Sequence, residues 1–586
     1  MAACSWAASQ APDVRISRSP TDLGLGKDHT QPWELTVTPR DPCRNRFGPA
    51  SPWVLTWPTF LLLVRFSGIL CLLVLERHAI ALFRRRFLAE WTLCCSLASA
   101  MPVTCPHTQS SPYSRHEPEK HPLHQVLAAH LETFLERTRT SAHQLPGHVE
   151  EELRAYLKGG ILAHGFVRFR CEDCGESRAV AFSCKRRGWC PSCMGRRMVD
   201  TAARLVDEVL PQVPVRQFVL SLPFEIRYRL AYDGKLISGL LAVFLRVVTA
   251  WYVRQARGQG YRGARCGSVT FVQRFGSSIN LNPHFHVLFL DGVYVPAAEG
   301  GAPVFVAAPP LADEDVQKLV ETASQRIVRL LQRRGLLDDS LVDDLSESEP
   351  LQAALSAASV QGQFATGERA GQRVRRRLSA SAEGVRSAPL CSAARGFSMH
   401  AATRIAADDR PGLERLIRYA TRPPLAAGRL QIIDDEQLTF RLKTPWSDGT
   451  THLLLSPLEL LEKLAALVPP PRLNLIRYQG VLAPNASVRQ QIVPSPAVAD
   501  EINLEPGAEV TPQVRAQRRT WAALLSRIFD LDGTLCPNCG ATMRIIAALT
   551  DEVSIRHYLK GVGLPSTPPP IAPARSPPQT EFAFSA

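Results

Sequence analysis

Apolar positions along this chain change their period near Val213, and the change divides it in two. Before that point Leu123, Val126, Leu127, His130, Leu131, Phe134 and Leu135 recur at three- and four-residue steps, which predicts an amphipathic helix. A second helix is predicted over Val149 to Leu157, and a third runs on from Cys193 through Arg196, Arg197, Val199, Leu205 and Val206. Beyond Val213 strand and helix patterns mix. VRQFVLSL (215–222) and SVTFVQRF (268–275) read as strands, with a helical stretch at 235–257 between them. HFHVLFL (284–290) is apolar on both faces, which predicts a central strand buried on each side. Asp291-Gly292 suits a two-residue hairpin turn leading back into VYV. A strand pair is expected at 430–433 and 438–442, closed by Asp434 and Asp435. Ser456 as N-cap, Pro457 at the first position and Glu459 as box partner mark a further helix.

These elements predict an α+β chain: a helical, cysteine-bearing domain at 105–212, then a sheet with packed helices at 213–487. Gly- and Ala-rich 296–312 and acidic 338–350 read as inserted loops. Residues 488–530 read as a linker, 531–564 as a CxxC-bearing segment, and 565–586, rich in proline, as a disordered tail. Residues 1–104 are unlike the rest. Val54–Leu75 is apolar and long enough to cross a bilayer, although Arg65 and Pro58 count against it, and Arg84 to Arg86 would be a cytoplasmic flank. The other reading is an upstream extension, with Met101 nearer the natural start.

Charge adds a partner. Sixty-eight Lys and Arg against 54 Asp and Glu leave a formal charge of +14, which points to a polyanion, nucleic acid ahead of a membrane surface. The first fifty residues, polar and rich in Pro, Arg and Asp, are not expected to be a secretory signal. Of 15 cysteines, seven fall in tight clusters, which suits metal-binding thiolates in a reducing compartment. Cys171-x-x-Cys174 and Cys190-x-x-Cys193 have the spacing of a two-knuckle zinc site, expected to be closed, tetrahedral and structural. Cys184 and His164 are spare donors beside it. Cys536-x-x-Cys539 has only two ligands; it could complete a site with His557, pair across chains or be a relic.

His284-Phe285-His286 is the sharpest catalytic candidate. On a strand, residues i and i+2 share a face, so both imidazoles converge while Phe285 packs behind them. Two imidazoles suit Mn, Co or Zn, whereas Mg would need added oxygen ligands.

SVTFVQRFGSSINLNPHFHVLFLDGVYV closely resembles the metal-site segment of the HUH-type rolling-circle transposases of the IS ninety-one family, which includes the common-region elements. SCKRRGWCPSCMGRR resembles that family's N-terminal zinc-binding domain. LERLIRYATRPPLAAGRL and KTPWSDGTTHLLLSPLELLEKLAALVPPPR resemble its C-terminal half, so the likeness runs from Pro122 to Leu564. It implies an antiparallel sheet with packed helices, a histidine pair holding a divalent metal (Mg or Mn), and a helix-borne tyrosine. That tyrosine attacks single-stranded DNA at element ends and target, giving a 5′-phosphotyrosine and a free 3′-OH. It also implies a cytoplasmic bacterial enzyme without small-molecule substrate or membrane.

Tyr419 best matches the family's tyrosine. Leu413, Leu416, Ile417 and Ala420 form the apolar stripe of a helix ended by Pro423-Pro424, and Tyr419 lies at its edge beside Arg415, Arg418 and Arg422. Some members carry a second tyrosine four residues earlier; here that residue is Arg415, so a single-tyrosine enzyme is expected, with Tyr478 as the runner-up nucleophile. Gln273 is the first candidate for a third metal ligand, before Asp291 and His452. Arg186, Arg187, Arg196 and Arg197 around the cysteines, and the run Arg369, Arg373, Arg375, Arg376, Arg377 and Arg386, suit phosphate contacts or a solvated basic face. Other readings are a replication initiator or relaxase of the same chemistry, and a non-catalytic zinc-finger DNA-binding protein.

Overall fold

The computed structural model describes residues 116–140, 144–297, 301–337, 344–378, 389–426, 428–494 and 535–575, together with four short strands nearer the N-terminus. Contacts divide the chain into two units, one of them Ser5–Pro112. Within that unit Phe60–Phe66 pairs antiparallel with Ile69–Leu75, so the described residues of the apolar stretch at 54–75 are strands and not a continuous spanning helix. Arg15–Ser17 likewise pairs with Glu34–Thr36. The rest of 1–104 lies outside the described residues.

The larger unit is α+β, as the periodicity predicts. Its main sheet is antiparallel, in the order Cys391–Ala394, Phe397–His400, Val215–Ser221, Leu281–Leu290, Gly267–Phe275 and Ile476–Gly480, with Arg404–Ile405 also pairing with Val215–Ser221. The histidine strand Leu281–Leu290 is therefore central, its backbone groups satisfied on both edges. Phe285, Val287 and Phe289 face one core, shared with the helices Gly234–Gly258 and Asp313–Arg333. Leu288 and Leu290 face another, with Leu413, Leu416, Ile417 and Ala420 of the helix Arg410–Ala420. Apolar burial on both sides explains the unbroken hydrophobic run. Gly234–Gly258 is, among the described residues, the one helix long and apolar enough to cross a membrane, and it is largely buried in this core.

A second, four-stranded sheet orders Arg375–Leu378, Thr450–Leu455, Leu438–Arg441 and Leu430–Ile432. The helix Pro457–Leu467 follows it with the predicted capping box formed: Glu459 N–H donates to Ser456 Oγ at 3.3 Å, and Ser456 N–H to Glu459 Oε2 at 2.8 Å.

Three expectations need correction. Asp291-Gly292 does not close a hairpin on the histidine strand; Gly292–Val295 pairs with Val304–Ala307 inside the supposed loop at 296–312. Asp291 is instead buried and satisfied by tertiary partners. Arg216 reaches it at 3.0 Å, Arg404 at 2.7 Å and the Tyr252 hydroxyl at 3.0 Å. Secondly, the segment after 531 is not separate from the cysteine domain: Met543–Leu549 pairs with Phe166–Cys171, which pairs with Ser177–Ala181. Thirdly, the proline-rich tail is ordered as far as residue 575. Ala572 N–H donates to the Ala128 carbonyl at 2.8 Å, and Arg575 N–H to Thr133 Oγ1 at 3.0 Å, both on the helix Pro122–Thr140. Proline-rich chain lacks internal hydrogen bonds but can lie along a helix that accepts its remaining amides.

Candidate active site and cysteine clusters

Cross-strand register places the site's polar side chains on one face. His284 lies between Ser221 and Gln273, and His286 between Val219 and Phe271, so Gln273 shares the histidine face. His284 Nε2 and His286 Nε2 are 3.1 Å apart. Two nitrogens bound at about 2.1 Å and at right angles to one ion would stand about 3 Å apart, so the pair fits a single divalent metal. Each ring's other nitrogen is already engaged: His284 Nδ1 with the Asn282 carbonyl at 2.7 Å, His286 Nδ1 with Gln217 Oε1 at 3.1 Å. Those acceptors select the tautomer whose Nε2 carries a lone pair. Burial, with the nearby Arg422 guanidinium, pushes His284 down to about 4 and His286 to about 3, so both imidazoles are neutral near pH 7.

Gln273 Nε2 donates to the Ala420 carbonyl at 3.2 Å, which ties the histidine face to the end of the tyrosine helix and leaves Oε1 as the candidate ligand atom. Asp291 is consumed by its arginines, as above, and His452 stands in the other sheet opposite Arg377 and Arg441. Neither joins the pair.

The tyrosine helix forms because Asp409 caps it, accepting from Gly412 N–H at 2.7 Å, and because its apolar stripe packs on the sheet. Tyr419 remains 41% exposed, its ring edge-on to His286 with centroids 6.1 Å apart. Arg422 lies 4.3 Å and Lys443 4.7 Å from the ring centre. Partial burial opposes ionisation of the phenol, but the hydrogen bond and charge of Arg422 and the charge of Lys443 outweigh it and hold the group below its ordinary range. Arg422 Nη1 is buried with no hydrogen-bond partner among the described residues. Arg415 reaches Asp409 only at 3.9 Å, and Arg418 is next to Tyr419 on the same helix. Tyr478 differs: it packs in the apolar cluster around Leu413, and burial pushes its phenol up.

Sequence patterns had not singled out Gln217 or Lys443. Gln217 interrupts an otherwise apolar strand, a usable signal; Lys443 comes next to Tyr419 only through the tertiary fold.

The four cysteines expected to share one site are divided between two. Cys171 and Cys174 gather with Cys536 and Cys539, while Cys190 and Cys193 gather with Cys184. The strand pair 166–181 carries the first CxxC away from the second, which lies where the helix Pro191–Glu208 begins. His557 is not a member of either cluster. Each cluster brings together thiols of the kind that can hold a structural metal ion. Of the flanking arginines, Arg187 donates to the Leu473 carbonyl at 2.7 Å and Arg197 to that of Lys185 at 2.9 Å, whereas Arg186 pairs with Glu151 at the surface. Arg196 is exposed. Arg375 to Arg377 occupy an exposed edge strand, Arg369 is held by Glu459, and Arg386 lies outside the described residues.

Residues 126–222 match the family model of the transposase zinc-binding domain, and residues 267–490 match a transposase family model, Y2_Tnp. No curated protein and no solved structure matches the chain. The two matched regions hold the second cysteine cluster, the histidine strand and the tyrosine helix in the order described: the chain belongs to the IS91 family of transposases, with an N-terminal zinc-binding domain.

Proposed function

We propose that this transposase cuts and rejoins single-stranded DNA through Tyr419, at a divalent metal held by His284, His286 and Gln273. The observation that carries this reading is one phenol placed against the histidine pair and flanked by Arg422 and Lys443. A bound Mg or Mn ion would polarise the scissile phosphate as a Lewis acid. The chain's own groups supply the rest. Arg422 and Lys443 favour the phenolate, which forms a bond to phosphorus as the bond to the 3′-oxygen breaks. That oxygen takes a proton from solvent and becomes a free 3′-OH, leaving a 5′-phosphotyrosine. Attack by another 3′-OH reverses the step, releases Tyr419 and joins the strands, as rolling-circle transposition requires.

Arg415, Arg418 and Arg422 contact phosphates beside the tyrosine, with Arg186 and Arg196 extending the path; Arg187 and Arg197, tied to carbonyls, serve the fold first. With Arg415 four residues before Tyr419, a single tyrosine does the work. The setting is bacterial cytoplasm, on DNA, without small-molecule substrate. Tyr419→Phe should abolish the covalent adduct with a single-stranded oligonucleotide while leaving binding intact. Adducts that persist in Tyr419→Phe and vanish in Tyr478→Phe would overturn the assignment.

A further inference from the structure

Cys536 and Cys539 lie outside both matched regions, at 126–222 and 267–490, yet their sulfurs meet those of Cys171 and Cys174. All four Sγ atoms lie within 4.8 Å of one another, with Cys171–Cys539 and Cys174–Cys536 each at 3.4 Å. Four sulfurs bound tetrahedrally at about 2.3 Å from one ion would stand about 3.8 Å apart, so the cluster needs little adjustment to hold zinc. A disulfide would bring a pair to about 2.05 Å.

The two Cys-x-x-Cys-Gly loops also have the same backbone form. In the first, Cys171 N–H donates to the Glu176 carbonyl at 2.8 Å and Gly175 N–H to the Cys171 carbonyl at 3.1 Å. In the second, Cys536 N–H donates to the Ala541 carbonyl at 2.7 Å and Gly540 N–H to the Cys536 carbonyl at 2.9 Å. Gly175 and Gly540 close these turns at φ +78° and +76°, a left-handed conformation that a side chain would strain. Amides of Asn538 and Cys539 point to Cys536 Sγ, and that of Glu176 to Cys174 Sγ, so both loops turn backbone donors toward their sulfurs. Two copies of one knuckle thus face each other. The sheet holds them in register, with Met543 opposite Cys171, and Asn538 Nδ2 donates to Glu176 Oε2 across the gap at 3.2 Å.

We infer that Cys171, Cys174, Cys536 and Cys539 form a composite tetrathiolate zinc site that fastens the C-terminal segment onto the N-terminal zinc-binding domain. The cluster of Cys184, Cys190 and Cys193 is then a second zinc site, with Cys184 and Cys193 sulfurs at 3.3 Å. The site is independent of the DNA chemistry proposed above.

Zinc content of the purified full chain tests this, by elemental analysis against protein concentration. Two zinc ions per chain are expected, falling to one in Cys536→Ser with Cys539→Ser. Two ions retained in that double variant, or a single ion in the unaltered chain, would overturn the inference. Should the double variant not fold, Cys539→His keeps a ligand. After cobalt replacement it should show weaker sulfur-to-metal charge-transfer absorption than the unaltered chain. An unchanged spectrum would overturn the inference too.

Discussion

At the scale of single residues, the polar atoms of the histidine face have distinct partners. Gln217 and the Asn282 carbonyl hold the histidines' Nδ1 atoms, which under the proposed function leaves both Nε2 atoms to a metal. Gln217→Leu should therefore weaken divalent-metal affinity about 10- to 100-fold, read as the metal concentration needed for half-maximal cleavage. Unchanged affinity would remove Gln217 from the site. The phenol has its own signature. Because Arg422 and Lys443 hold Tyr419 below the usual phenol value of about 10, adduct formation should rise with pH and level off below that value. Lys443→Ala should shift the inflection to higher pH and slow the reaction at neutrality, in a pH–rate profile from single-turnover assays. A profile that does not move would mean the lysine only packs on the ring. That His284 and His286 share a face was legible in the sequence because the strand period fixes it, whereas Tyr419 was reached through the family resemblance, with the helix period placing it at the edge of the apolar stripe. Lys443 was not, because no period connects it to a helix 24 residues upstream.

Elements were legible where their signals were local and failed where tertiary partners decided. The capping box at Ser456 and the buried strand at 284–290 depend on neighbours within a few residues. Asp291-Gly292 carries an equally clear hairpin signal, yet Arg216, Arg404 and Tyr252 recruit the carboxylate into the sheet's interior. An aspartate 5% exposed and satisfied by three partners is costly to remove, since two guanidinium groups would lose their counter-charge. Asp291→Ala should destabilise the catalytic unit by about 3–5 kcal/mol, seen as a lower midpoint in denaturant unfolding. A change under about 1 kcal/mol would show that the arginines find other partners or water.

Across the whole molecule, the cysteine domain and the catalytic sheet are joined through helices. Pro191–Glu208 follows its N-cap Cys190 and shares an apolar cluster with the tyrosine helix, through Leu205 and Val206, and Leu210 just beyond its end, with Leu413 and Ile417. Arg410, at the start of the tyrosine helix, donates to the carbonyls of Val206, Leu210 and Pro211. A metal bound at the second cluster would therefore steady the helix on which Tyr419 is carried. The C-terminal return onto Phe166–Cys171 had no local signal; a pairing between residues some 370 positions apart leaves two half-motifs that look unrelated. Chelating zinc should expose Phe166–Cys171 and Met543–Leu549 together in hydrogen exchange, while Leu281–Leu290 stays protected. Loss of protection in the central strand as well would mean the two parts fold as one cooperative unit.

The central claim concerns one oxygen atom. After reaction with a single-stranded oligonucleotide and Mg or Mn, nuclease trimming and proteolysis, mass spectrometry should find the nucleotide remnant on the peptide containing Tyr419. A remnant on the peptide containing Tyr478, or no covalent remnant under conditions that cut the DNA, would contradict the account.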